Sequence, residues 1–546
     1  MTLAPPPGDA HDTTPASGSS LPAGGTASAT AMTTASTPSA RTTPRPDVRW
    51  PQVKRPSSLS RIPFWDAAEL SVAIRRRVVS CVEVMTSFLD HIERVNPAVN
   101  AIVGLRPRTE LLREAAEKDR LLARGSYQGW MHGFPHAVKD LADVQGTPTT
   151  YGLIPLAHAA PATTDTLFVQ RIRAAGAIFI GKTNTPELGL GSHTYNNVFG
   201  TTTNAYDPTK AAGGSSGGAA VAVALRMVPV ADGSDFMGSL RNPPGWNNVL
   251  GLRPSYGRVP APGGDVFIAQ GSIDGPIARN ALDLALLLRT MSGYDDRAPL
   301  SLTENPEALT DLASDQHGRR VAWLGDLDGY LPMEKDVLDV TTTALEHFTR
   351  LGMHVSTIQS LPTADTFSGV KDLWPTWLTH RHWQAGMSVK TAIDAGLRDL
   401  LKPEAHYEHD GLVTGANGPL SGIDVYDASV KRSGLYRAFR DLFQTYDYAV
   451  LPTAQVMPFD ARTHWPASIN GKEMSSYHRW MEVATIGTLL GAPTLAIPAG
   501  FNAAGLPIGL QVISRNHDDR SLISLAHAWE QQTKFIRDHP PKLISR

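Results

Sequence analysis

Apolar residues recur at three- and four-residue steps in two early segments, first Leu70, Val72, Ala73 and Ile74 after Asp66, then Val82–Ile92. That spacing lines them along one side of a 3.6-residue turn and predicts two helices, the second broken by Asn96-Pro97. Thr109–Arg124 predicts a third helix, its charges on a solvated face and Gly125 at its end. Leu167–Ala175, Ala281–Met291 and Met481–Leu490 continue the helical pattern. Short apolar runs predict strands at Asn100–Val103, Pro135–Val138, Ala177–Ile180, Val228–Ala231 and Tyr446–Thr453, and the core pattern returns in Gly491–Pro498 and Gly505–Ile513. Strands alternating with helices at this density predict an α/β fold. The expectation is a single large domain with a central mixed, mostly buried β-sheet covered by helices on both faces.

Composition narrows the class. Hydrophobic residues make up 42% of the 546 and charged residues 19%, enough for a sizeable core. Lys plus Arg number 50 against 52 for Asp plus Glu, so nothing favours nucleic acid or an anionic membrane as partner. Cys81 is the only cysteine, which excludes an intramolecular disulfide and a cysteine-based zinc site. It suits a cytoplasmic location, and no apolar run approaches the roughly 18 residues of a membrane span. Residues 1–60 are Ala, Thr, Ser, Pro and Gly with few large apolar side chains, and a disordered tail is expected there. That tail lacks the basic start and apolar core of a signal peptide, and Met32 is an alternative start. The ordered domain is expected over 61–540. Within it, residues 301–425 change texture: Trp374, Trp377, Trp383 and Tyr407 gather with His380, His382, His406 and His409. They read equally as an apolar substrate pocket or as the core of a helical subregion.

The chemistry concentrates in Ala211–Pro260, which holds two serine-bearing turns, Gly213–Gly218 and Asp235–Arg241. A hydroxyl beside oriented backbone N–H donors is what acyl transfer requires. One reading takes Gly214-Ser215-Ser216-Gly217-Gly218 as a G-x-S-x-G elbow with Ser216 as nucleophile. The other gathers Lys139, Ser215 and Ser239 into one site. Two further motifs fall away. His132 and His136 stand four apart, but Gly133 and Pro135 oppose the helix that would make them a metal pair. Gly181-Lys182-Thr183 follows a helix and a strand, the wrong order for a phosphate loop.

Gly213–Gly218, Gly233–Arg241, Gly251–Arg258, the lysine segment Gly133–Asp140 and the Gly505–Gln511 run match the amidase signature in order. From about Asp66 to Gln531 the chain resembles that family of Ser–cisSer–Lys amidohydrolases. The resemblance implies an amidase domain over 61–540, with residues 301–425 variable and substrate-shaping. It implies Ser239 as nucleophile, Ser215 as relay after a cis peptide bond, and Lys139 as base, neutral because desolvated. The backbone N–H groups of Phe236, Met237, Gly238 and Ser239 would form the oxyanion hole, each key donor worth on the order of 3–4 kcal/mol. Gly214, Asp235 and Arg241 would shape the loops, Asp235 and Arg241 as an ion pair.

No cofactor and no metal are implied, and the expected partner is a small-molecule amide, with a homo-oligomer left open. Most of the family has Gly where this chain has Met237, and a Met bordering the acyl site points, with the aromatic region, to a bulky or aryl amide, anilide or carbamate. The alternatives are an amidotransferase component that works with partner proteins on tRNA, the Ser216 esterase, and a catalytically silent amide-binding member.

Overall fold

Local signals place many of the early elements and the C-terminal strands. The computed structural model describes residues 50–545 apart from 269, 314, 416 and 417. The tail expected over 1–60 therefore lies, through residue 49, outside the described residues. A 3-10 turn spans Leu59–Phe64. Helices α1 (Ala67–Arg75) and α2 (Cys81–Val95) follow. The latter starts in a capping box, Ser80 Oγ accepting from the Glu83 N–H at 3.0 Å and Glu83 Oε2 from the Ser80 N–H at 2.9 Å. Strand β1 (Ile102–Val103), helix α3 (Arg108–Ala123), strand β2 (Pro135–Lys139), helix α4 (Leu167–Ala174) and strand β3 (Ile178–Thr183) come next. A small hairpin, β4 (Tyr195–Asn196) and β5 (Gly200–Thr201), precedes helix α5 (Gly217–Ala224).

The large sheet begins with β6 (Ala231–Asp235), which helix α6 (Asn242–Trp246) separates from β7 (Leu250–Arg253) and β8 (Ile273–Ala278). Helix α7 (Ala281–Met291), β9 (Arg320–Trp323), α8 (Lys335–Arg350) and β10 (His354–Thr357) follow. Three long helices come in succession: α9 (Val370–Asp394), α10 (Pro403–Val413) and α11 (Gly422–Thr445). Strand β11 (Tyr448–Pro452), a hairpin of β12 (Ser468–Ile469) and β13 (Lys472–Glu473), α12 (Thr485–Leu490), β14 (Thr494–Phe501), β15 (Pro507–Ile513) and α13 (Asp519–Thr533) complete the main architecture.

Eight strands form the main sheet in the order β10-β9-β11-β15-β14-β7-β8-β6. The β10–β9 and β9–β11 pairs are parallel and the others antiparallel, so the sheet is mixed. Strands β7, β11 and β15 are buried at every residue. Alternate strand residues point to opposite sides, so unbroken burial means that both faces are covered. The expected fold class holds.

Two expectations need correction. The strand predicted at Val228–Ala231 is displaced to Ala231–Asp235, because Pro229 has no N–H to give a ladder and the polar Asp232-Gly233-Ser234-Asp235 run pairs antiparallel with β8 instead. The helix predicted at Met481–Leu490 is broken. Arg479–Ala484 is a 3-10 segment in which the Val483 N–H donates to Gln455 Oε1 at 3.1 Å, and α12 starts only at Thr485.

Candidate active site

Lys139 ends β2, which pairs with β3 in a separate three-stranded sheet, not in the large one. Asp232, on the neighbouring β6, ties the two sheets together. Its carboxylate accepts the Lys139 backbone N–H at 3.1 Å and the His136 ring Nε2 at 3.0 Å. The Lys139 side chain is 2% exposed. Its Nζ donates to Ser215 Oγ at 2.7 Å, Ser216 Oγ at 2.9 Å and Ser234 Oγ at 2.9 Å. Burial disfavours the ammonium and lowers the pKa to about 7, against the opposing pull of Asp274, Asp232 and Asp235. Asp274, opposite Ser234 in the β6–β8 ladder, is itself pushed up to about 7 by burial and by the Asp232 charge. A pKa near 7 makes both the neutral and the charged lysine accessible near neutral pH.

The Gly214–Ser215 peptide bond is cis, as the resemblance implied. A side chain at 214 would stand 2.7 Å from the His193 nitrogen, so glycine is needed for the close approach. Ser216 stands at the N-cap position of α5 with no side-chain capping bond and is wholly buried, its Oγ donating to the Ser234 carbonyl at 3.2 Å and accepting the Ser234 N–H at 3.3 Å. No strand leads into this turn. The elbow reading of Ser216 therefore fails on geometry, since the hydroxyl has no opening towards a substrate.

Ser239 lies on the second turn, and its Oγ accepts the Ser215 backbone N–H at 2.8 Å. The sequence-predicted triad is thus brought together from positions 76 residues apart for Lys139 and Ser215 and 24 apart for Ser215 and Ser239. The amides of Phe236, Met237 and Ser239 donate to no described residue. Gly238 departs from expectation: its N–H donates to Asp235 Oδ1 at 2.9 Å, which takes it out of the oxyanion set. Gly238 has φ of +87°, and a Cβ there would meet the Ala484 methyl at 2.9 Å.

Asp235 fixes this turn. Arg241 grips its carboxylate with both Nε and Nη2 at 2.9 Å, and Arg253 donates to its backbone carbonyl. Burial alone would raise the Asp235 pKa, but Arg241 and Arg253 hold it well below the usual carboxylate range. Arg241 also donates to the Ala484 carbonyl at 2.8 Å and to Gln511 Oε1 at 2.7 Å. The C-terminal Gly505–Gln511 run therefore acts on the site through Gln511, as a brace for Arg241.

A cavity of about 270 Å³ opens beside Ser215 and Ser234, between Leu141, Leu188 and Leu190 on one side and α9 on the other. The aromatic set of the 301–425 region lies behind it. Trp377 packs edge-on against Phe236, Trp374 tilts over His478, and Tyr407 packs on Tyr477 and His478. Of the two readings, the helical core is the one that describes them. Met237 is 5% exposed and packs in the core, while Phe236 borders the cavity. The sequence reading missed Asp232, Ser234 and Asp274. Only the Gly-Ser-Asp run pointed towards any of them, because their meeting depends on strand register.

His132 and His136 bond to different partners, the Lys118 carbonyl and Asp232. No group of three His, Cys, Asp or Glu residues suited to a metal occurs among the described residues. Lys182 is buried in β3 and donates to the Ala142 carbonyl at 2.6 Å, a structural role. Among the described residues no helix is long and apolar enough to cross a membrane.

Fold and site together are those of a mixed α/β enzyme built around a buried lysine–serine–serine chain. The Amidase family model matches residues 83–523, and the chain belongs to the amidase family. It is 32% identical over 470 residues to an acylamidase of Rhodococcus erythropolis, covering 85% of this chain and 94% of the relative. A glutamyl-tRNA(Gln) amidotransferase component of Thermosynechococcus vestitus is 31% identical over 497 residues, covering 86% and 98%. The crystal structure of a bacterial aryl acylamidase of the amidase signature family superposes with a TM-score of 0.80 at 28% identity, covering 88% of this chain and 99% of that one.

Proposed function

We propose that this protein hydrolyses a carboxylic amide to acid and amine through an acyl-enzyme on Ser239. The observation that carries the reading is that Ser215 touches both partners: its Oγ meets Lys139 Nζ at 2.7 Å, and its backbone N–H holds Ser239 Oγ at 2.8 Å, beside a lysine whose pKa burial lowers to about 7. Neutral Lys139 takes the Ser215 hydroxyl proton as Ser215 takes that of Ser239, and Ser239 Oγ adds to the amide carbonyl. The unbonded amides of Phe236, Met237 and Ser239 receive the oxyanion. Protonated Lys139 then returns its proton through Ser215 to the leaving amine, and water, activated by the same relay, releases the acid.

The cavity of about 270 Å³ lies just below the usual span of ligand cavities, roughly 300–1,000 Å³, and supports a compact acyl or aryl amide over a bulky one. The acylamidase relative and the aryl acylamidase structure support an acyl anilide as the first probe. The test is turnover of an anilide panel by wild type and by Ser239→Ala, Ser215→Ala, Lys139→Ala and Ser216→Ala. Wild-type turnover lost in the first three variants is expected. A dead Ser216→Ala beside an active Lys139→Ala would sink the assignment. The amidotransferase relative supports a second reading. Wild type that is inert towards free amides, yet deamidates glutamine when a partner is supplied, would establish it.

A further inference from the structure

The wall of the cavity facing the leucines is one stripe of α9. Arg381, Gln384, Ala385, Ser388 and Val389 line it at steps of three, one, three and one, which is a single helix face. Ala385 and Val389 belong to a small apolar cluster with Leu153, Leu190 and Ala405 that seats the helix. The remaining positions are polar, and two of them are held in fixed orientations. Gln384 Oε1 accepts the Gly271 N–H at 3.0 Å, which assigns the oxygen inward and leaves the Nε2 donors without a partner among the described residues. Arg381 stacks on Phe236, its guanidinium carbon 4.7 Å from the ring centroid. Its Nε donates to Glu408 Oε1 at 2.9 Å and its Nη2 to the Tyr477 hydroxyl at 2.9 Å, while Nη1 has no partner among the described residues. Nη1 and Gln384 Nε2 are not sealed off, and both residues line the cavity.

These two donors stand on a wall without net charge. Glu408 answers Arg381, and although burial alone would raise it, Arg381 and His382 keep its carboxyl well below the usual range. Solvent pairs donors that face an open cavity, and a ligand that displaces that solvent must pair them again, so a wall that presents two favours an acceptor on the ligand. From this juxtaposition, and resting on the amidase reading above, we propose that the Arg381–Gln384 stripe of α9 recognises a second, uncharged carbonyl oxygen on the substrate. The substrate class is then a diamide, or an amide carrying a carbamate or ester group, its hydrocarbon part lying on Leu141, Leu188 and Leu190.

Matched amides test this without reliance on overall activity. Hexanoyl anilide is compared with N-acetyl-β-alanyl anilide, in which an amide replaces part of the acyl chain. N-pentylbenzamide is compared with N-(2-acetamidoethyl)benzamide, which carries the second carbonyl on the amine side. The half-anilide of adipic acid supplies a carboxylate. In one of the two pairs the diamide should be favoured about tenfold in kcat/KM, the worth of one or two net hydrogen bonds. The same ratio should appear in Kd measured on the Ser239→Ala protein. Gln384→Glu keeps an acceptor for the Gly271 N–H and removes the donors, and Arg381→Lys keeps a cation for Glu408. In each the ratio should fall towards one. Ratios near one in wild type for both pairs, or a preference for the carboxylate, would overturn the proposal. If wild type cleaves no amide, the proposed function fails, and the Kd ratios on Ser239→Ala still decide this inference.

Discussion

The backbone N–H of Ser215 holds Ser239 Oγ at 2.8 Å, while the Ser215 hydroxyl is engaged by Lys139 Nζ at 2.7 Å. One residue therefore serves the site twice, positioning the Ser239 hydroxyl with its amide and contacting the lysine with its side chain. Alanine at 215 keeps the first contact and deletes the second. Ser215→Ala is expected to lower kcat/KM by about 10²–10⁴-fold, the range for losing a general acid–base group. Slow labelling of Ser239 by a fluorophosphonate should survive in that variant and vanish in Ser239→Ala. Wild-type labelling of Ser239→Ala, followed by mass spectrometry, would place the nucleophile elsewhere.

The pH profile should carry the signature of Lys139. A base acts only when deprotonated, so kcat/KM is expected to rise with pH through about 7, the value to which burial lowers this lysine. Asp232, Asp235 and Asp274 face it and each favours the ammonium, Asp274 most strongly. Asp274→Asn removes that pull. Its acid limb should therefore move to lower pH, read from kcat/KM profiles of the two proteins. A shift to higher pH would contradict the assignment.

The same group links folding to pH. Folded Lys139 sheds its proton near pH 7, whereas an unfolded lysine keeps it to about 10.4. Between these values the unfolded chain binds the extra proton, so this group makes wild-type stability rise with pH across that window. Below it the buried ammonium costs on the order of 5 kcal/mol, at about 1.36 kcal/mol per pKa unit. Lys139→Met should therefore be the more stable protein at pH 6, and its advantage should shrink towards pH 10. Denaturant melts at the two pH values measure the difference.

Removing Arg241 should destabilise the whole site. Its guanidinium and the Asp235 carboxylate are both fully buried and joined by two bonds of 2.9 Å. Taking one partner from a buried pair costs about 3–5 kcal/mol, because the other charge is left in a dry interior. Arg241→Met is expected to show that loss in chemical denaturation, together with loss of turnover. A change below about 1 kcal/mol, the scale of an exposed pair, would mean that Arg253 holds the turn without it.

Much of this molecule is written in local patterns. Helix α7 runs from Ala281 to Met291, where the Ala/Leu periodicity puts it, and Asn280 caps it by accepting the Asp283 N–H at 2.8 Å. Strand β2 ends on Lys139 as its apolar approach predicts. These features depend on residues a few positions apart, which a linear chain displays. Strand β6 is different. Its Ala-Asp-Gly-Ser-Asp sequence has the composition of a loop, and it becomes a strand by pairing with β8, from Ala231 opposite Ile277 to Asp235 opposite Ile273.

The sequence by itself determined many of the helices and strands outside residues 301–425, the two serine turns and the lysine grouped with them. Tertiary structure decided what each of those groups meets. Register between β6 and β8 sets Asp274 opposite Ser234, and the Asp235 carboxylate takes the Gly238 N–H. Packing also turned the aromatic residues of 374–407 into a helical core and gave the cavity wall to Arg381 and Gln384. The physical reason is range. Periodicity and caps are fixed by neighbours within a turn or two, whereas burial, proton affinity and unpaired donors depend on groups that meet only when distant segments pack.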